Sequence, residues 1–154
     1  MKLYDIVFSP TGGTKKVAGY LTDALEGNVT TVDLTDSKQG FDAVSLTKED
    51  VAVISVPSYG GRVPAVAAER LSQVHVSGAR AVLVCVYGNR AYEDTLVELE
   101  DIVKQAGFQV VAAVAAVAEH LSSSVASSGT IESVTVFSAV ASVVVVPGVL
   151  KVIE

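Results

Sequence analysis

Up to about residue 118 the chain alternates short apolar runs with helical patterns, and this alternation limits the fold more than any other property of the sequence. Strands are predicted at 2–8, 29–34, 51–57, 80–87 and 108–117, and helices at 14–26, 63–74 and 91–106. That order belongs to an α/β doubly wound domain. Residues 51–56 and 81–86 lack the polar alternation of a half-solvated strand. They belong at the centre of a sheet with helices on both faces, which makes the sheet mainly parallel. Residues 36–50, with Gly40, Phe41 and several charges, read as a long connection carrying at most a short helix. With 154 residues, half of them hydrophobic, the chain suffices for one domain with its own core.

Ligands of such sheets bind at the carboxyl ends of the strands. The first strand runs directly into Ser9, Pro10, Thr11, Gly12, Gly13 and Thr14, and a helical pattern begins at Lys15. This reads as a phosphate cradle. The two glycines allow a tight turn with inward-pointing N–H groups, Ser9, Thr11 and Thr14 add hydroxyl donors, and the helix N-terminus adds a positive dipole. A Walker A loop places Lys directly before its Ser or Thr, whereas here Thr14 precedes Lys15 and Lys16, so ATP and GTP are disfavoured. The dinucleotide fingerprint needs three spaced glycines; Gly12 and Gly13 are adjacent, and only Asp33, at the distance of a ribose-binding acid, favours NAD. Neutral donors around a single terminal phosphate suit FMN.

Two further strand ends carry distinctive loops. One is Pro57, Ser58, Tyr59, Gly60, Gly61, Arg62, Val63 and Pro64; the other is Tyr87, Gly88, Asn89, Arg90, Ala91, Tyr92, Glu93 and Asp94. Each offers an aromatic ring for stacking, at least one glycine for close backbone approach, and polar groups for a heterocycle edge. Glycine and aromatic residues also close ordinary turns, but three such loops at three strand ends point to one crevice for a planar ring such as an isoalloxazine.

The net charge of −6 and the absence of a Lys/Arg cluster argue against a nucleic-acid surface. Cys85 is the only cysteine, so the chain forms no internal disulfide and holds no iron–sulfur cluster by itself. Its place inside an apolar strand marks a buried structural thiol. A low-molecular-weight phosphatase loop needs five residues between Cys and Arg, whereas four separate Cys85 from Arg90. His75 and His120 lack the cysteine or carboxylate company of a metal site and read as surface or loop residues. No G-x-S-x-G nucleophile motif is present. The N-terminus lacks the length and cleavage site of a secretory signal, so a cytoplasmic protein is expected.

At these residues the chain resembles flavodoxins, and more closely the flavodoxin-like domains of anaerobic bacteria that occur alone or fused to a ferredoxin module. The resemblance covers about residues 2–120; its carriers are the 9–14 loop, the 57–64 and 87–94 segments, and Ala118, Glu119 and His120 at the end of the fifth strand. It implies strand order 2-1-3-4-5 and non-covalent FMN, with the phosphate on the first loop and the ring between the other two. The implied activity is electron transfer as a carrier or oxidoreductase subunit, with a redox protein such as a ferredoxin or reductase as partner. In flavodoxins a peptide beside flavin N5 reorients on reduction, and here Gly60 or Gly61 is where that motion costs least strain. An acidic protein makes the reduced flavin a strong reductant, whereas Arg62 or Arg90 near the ring would raise the potential. As surface residues, these arginines would pair instead with Glu93 or Asp94.

Two departures from the family pattern stand out. Gly13 occupies a place where flavodoxins commonly have Asn, which removes an amide contact and keeps the backbone donors. From Leu121 the chain turns Ser-rich and then Val-rich, with no charged residue from Ser133 to Leu150, where a flavodoxin would close with an amphipathic helix. Residues 121–154 are therefore expected to be an atypical C-terminal segment of the same domain. Residues 143–146 favour strand, and Thr135, Ser138, Ser142, Pro147 and Gly148 argue against a membrane span. A poorly packed tail would bare a strand edge and favour homo-oligomers. It also makes an alternative of different class credible, a flavodoxin-fold scaffold that has lost flavin binding and acts through protein contacts.

Overall fold

The computed structural model describes residues 2–24, 28–87, 93–117 and 144–145. Its elements are β1 (Leu3–Val7), α1 (Gly13–Ala24), β2 (Val29–Asp33), a 3-10 turn (Phe41–Ala43), β3 (Ser45–Thr47), β4 (Val51–Pro57), α2 (Ala65–Leu71), β5 (His75–Ser77), β6 (Arg80–Tyr87), α3 (Glu93–Ala106), β7 (Gln109–Val117) and β8 (Val144–Val145). The main sheet has the order β2-β1-β4-β6-β7-β8. Its first five strands are parallel, and β8 joins β7 antiparallel through Val114↔Val145 and Ala115↔Val144. Counting the five strands read from sequence, this is the expected order 2-1-3-4-5.

Strand periodicity divides the core into two layers. Tyr4, Ile6 and Phe8 of the first strand, Ile54 and Val56 of β4, and Leu83 and Cys85 of β6 pack with Leu71 of α2 and with Leu96, Leu99 and Val103 of α3. The alternate residues, including Leu3, Val53, Val82 and Val84, pack with Val17 and Leu21 of α1. Burial of apolar groups on both faces explains why β4 and β6 read as continuous apolar runs. One helix covers one face and two cover the other, so the chain reverses direction beside β1, the place at whose strand ends ligands of such sheets bind.

The 36–50 stretch carries more than a short helix. Besides the 3-10 turn it contains β3, which pairs in parallel with β5 as a second, two-stranded sheet (Ser45↔His75, Leu46↔Val76, Thr47↔Ser77). Strands of three residues are too short for a periodic signal, and only Leu46 among the β3 residues is buried. Helix α2 is also shorter than the predicted 63–74. Val63 precedes Pro64, whose ring disfavours the helical region for the residue before it. At the other end the Val74 amide donates to Leu71 O at 3.2 Å, and the His75 amide donates to Val44 O at 2.9 Å, which draws the chain into β5.

One glycine is dictated by close approach. Gly107, between α3 and β7, has φ +112°, and a Cβ placed on it would lie 2.3 Å from the Val76 carbonyl oxygen. Asp50, at the start of β4, accepts hydrogen bonds from the Thr47 amide at 2.8 Å and the Lys2 amide at 3.2 Å. Those bonds, the Thr47 amide first, hold its carboxyl below the usual carboxylate range. No helix among the described residues is long and apolar enough to cross a membrane. Of the atypical C-terminal segment, only Val144 and Val145 fall within the described residues, and they take the strand form read for 143–146.

Candidate functional site

The three loops read from the sequence follow β1, β4 and β6, which are neighbours in the sheet. All three strands are parallel, so their carboxyl ends lie on one side and the loops after them share it. Gly88, Asn89, Arg90 and Tyr92 of the third loop lie outside the described residues; Tyr87, at the end of β6, is half-buried.

In the first loop Ser9 is an anchor. Its amide donates to Thr35 Oγ1 at 2.8 Å, and its Oγ accepts the Lys15 amide at 3.0 Å. The hydroxyl thus satisfies one of the helix-start donors that would otherwise be orphaned. Gly12 takes φ +92°, and its carbonyl accepts the Lys16 amide at 3.2 Å. A Cβ placed on Gly12 or Gly13 would meet no atom within 4 Å, so the backbone there faces open space. Thr11 is exposed, whereas Thr14 is buried. No acidic residue lies in the first turn of α1, so no charge of the helix itself opposes an anion at its N-terminus. Asp33 turns inward to its own loop, where its Oδ1 accepts the Thr35 amide at 2.9 Å.

The second loop is a tight hairpin. The Tyr59 amide donates to Arg62 O at 2.9 Å and the Arg62 amide to Tyr59 O at 3.0 Å. Between them Gly60 and Gly61 have φ +60° and +78°, the sign pattern of a type I′ turn, which glycine accommodates without strain. Both glycines again face open space. Tyr59 is 48% exposed, so much of its ring is free to meet a planar ligand. Pro57 is half-buried at the end of β4, and the Ser58 amide donates to Val86 O at 2.8 Å, tying this loop to the neighbouring strand.

Helix α3 holds this loop through residues not singled out in the sequence. The Ser58 and Thr95 hydroxyl oxygens lie 2.7 Å apart. Glu98 accepts the Val63 amide on Oε1 at 2.7 Å, and its Oε2 accepts the Arg62 Nε at 3.0 Å and the Arg62 terminal nitrogen. Arg62 therefore pairs with Glu98, a partner not read from the sequence, and Asp94, one of the two acids named for its surface reading, adds a weaker attraction. The Arg62 guanidinium is the main reason the Glu98 carboxyl lies below its ordinary range. Thr95 was visible in principle, since it stands four residues before Leu99 and eight before Val103 on the buried stripe of α3. Glu98 carried no such mark.

Two polar side chains are buried within β1 and β4. Asp5 and Ser55 are buried, and Asp5 Oδ1 and Ser55 Oγ have no hydrogen-bond partner. By strand alternation both occupy the α1 face. Burial pushes the Asp5 carboxyl up to about 6, with Lys15 opposing the shift and Asp33 adding to it. Cys85 is fully buried, and burial pushes its thiol up to about 12, as a structural cysteine requires. His75 is exposed, as read from the sequence; His120 lies outside the described residues. No group of His, Cys, Asp and Glu suited to a metal ion occurs among the described residues.

No family model matches the chain, and no curated protein sequence matches it. Solved structures do. The two-electron reduced flavodoxin of Megasphaera elsdenii superposes with a TM-score of 0.55 at 19% identity, over 76% of this chain and 86% of that one. A Fusobacterium nucleatum flavodoxin bound to flavin mononucleotide gives 0.53 at 20% identity, over 72% and 70%. A flavodiiron core from Synechocystis gives 0.57 at 17% identity, over 77% of this chain and 31% of that longer one. The parallel order around β1, the loops at the strand ends and these likenesses agree: the chain has the flavodoxin-like fold.

Proposed function

We propose that the crevice beyond β1, β4 and β6 binds FMN and that the chain works in electron transfer, as a carrier or as a subunit of an oxidoreductase with a redox protein as partner. The observation that carries this reading is the open backbone at four glycines, Gly12, Gly13, Gly60 and Gly61, on two loops at adjacent strand ends. Such loops accept a ligand at van der Waals distance from the main chain, and the α1 N-terminus adds donors for its phosphate.

The donor set fits a monophosphate held by neutral groups. Ser9 holds the loop by accepting the Lys15 amide, and its hydroxyl proton remains to join Thr11, Thr14 and the amides around Gly12 and Gly13 in binding oxygen. Pro57, Ser58, Tyr59, Gly60, Gly61 and the main chain of Arg62 would line one side of the ring, with Tyr87, Gly88, Asn89, Arg90 and Tyr92 proposed for the other. When bound, FMN supplies one- and two-electron chemistry; the protein orients it and sets its potential. The Gly60–Gly61 peptide can rotate without moving a side chain, and its carbonyl is the acceptor that the turn offers to a reduced ring. The structural likenesses lend no support to the scaffold alternative.

The test is addition of FMN to the purified chain while flavin fluorescence and the visible spectrum are followed, beside a variant with Thr11→Ala and Thr14→Ala. Quenching by the parent chain that is weakened at least tenfold in the variant supports the reading. Folded protein that leaves FMN fluorescence unchanged overturns it.

A further inference from the structure

The 58–63 loop is pinned at both ends to one rigid element. Thr95 and Glu98 stand three positions apart on α3, hence on one face of the helix. Thr95 meets Ser58 where the loop begins, and Glu98 meets Arg62 and Val63 where it ends. The only described positions between those pins with positive φ are Gly60 and Gly61. Any rearrangement of the turn is thereby channelled into one Gly–Gly peptide. Glu98 has a second effect, on charge. It holds the Arg62 guanidinium through two nitrogens of its fork, so the cation of this loop is neutralised against α3 although the side chain remains 68% exposed.

We infer that Glu98 is a positioning residue for the candidate ring site: it fixes the end of the 58–63 loop and holds Arg62 away from the ring, keeping the reduced form of the bound flavin a strong reductant. The inference rests on the FMN reading for its charge effect but not for the loop contact. An arginine freed from Glu98 can swing toward electron density gained on reduction and stabilise it. Glu98→Gln retains an oxygen for the Val63 amide and loses the charge that holds Arg62, whereas Glu98→Ala loses both.

Two measurements decide it. In the ligand-free chain, hydrogen exchange at the Val63 amide should be slow in the parent and in Glu98→Gln, and at least tenfold faster in Glu98→Ala. Equal exchange in the parent and Glu98→Ala overturns the loop contact. In the FMN-loaded chain, Glu98→Gln should favour the reduced form by roughly three- to tenfold, which is about 15–30 mV for a two-electron couple. The same change made on top of Arg62→Ala should give only the through-space effect of one lost surface charge, roughly twofold. Equal shifts in the two backgrounds show that Arg62 does not relocate and overturn the holding role. A parent chain that takes up no FMN overturns the flavin reading and the charge effect together, while the exchange measurement still decides the loop contact.

Discussion

The hydroxyl oxygens of Ser58 and Thr95 lie 2.7 Å apart, joining the loop after β4 to a wholly buried position on α3. Thr95→Val keeps the shape and removes the hydroxyl, leaving Ser58 without this partner. Urea denaturation should show a loss of about 1–2 kcal/mol, and Thr95→Ser should recover most of it. An unchanged midpoint for the valine variant would remove this hydroxyl from the account of the loop.

Gly107→Ala should cost more. Its Cβ would approach the Val76 carbonyl oxygen to 2.3 Å, and φ +112° is itself unfavourable for alanine. Neither the turn nor β5 can yield without disturbing the two-stranded sheet. Thermal and chemical unfolding should register a loss of about 2–4 kcal/mol. Gly12→Ala, in open space, should cost only its backbone strain, about 1 kcal/mol.

Asp5 should make the folded chain more stable in mild acid. Its carboxyl is raised to about 6, chiefly by burial, from an ordinary value of 3.8. The native state therefore binds this proton more tightly than the unfolded chain does. The resulting stabilisation is complete below about pH 4 and is lost as pH rises through 6. Asp5→Asn removes the charge that must otherwise be buried. At pH 8 it should be more stable than the parent by about 1–2 kcal/mol after a discount for screening, with the advantage gone at pH 4. Parallel stability profiles from pH 4 to 8 would show that Asp5 ionises without penalty.

Cys85 should resist alkylation. Burial raises its thiol to about 12, far above neutral pH, and no part of it is exposed. At pH 8 iodoacetamide should modify the native chain at least a hundredfold more slowly than the chain in denaturant. Comparable rates, read by mass spectrometry, would mean that β6 opens readily.

The long strands were legible because burial on both faces leaves a continuous apolar signal, as in residues 81–86. The loops after them were legible because Gly12, Gly60 and Gly61 are needed for positive φ and announce themselves in sequence, whereas the strand order followed only from the flavodoxin resemblance that those loops carry. The pair β3 and β5 was not, because three residues with one inward side chain leave no period to read. Glu98 was hidden for a different reason. Its contact with Val63 spans 35 positions and exists only once α3 docks beside the loop, so local pattern contains no trace of it.

The parallel pairing of β1 with β4 brings Leu3 beside Val51, and that of β4 with β6 brings Val51 beside Arg80. No hairpin can close either junction; each needs a full crossover before its first ladder bond forms. The 9–14 and 57–64 loops therefore remain strangers through the early stages of folding, and become neighbours only when the slow, non-local part of the sheet has zipped. A ligand spanning them would bind only chains in which β1 and β4 have already paired, so its uptake would report that non-local step and no local one.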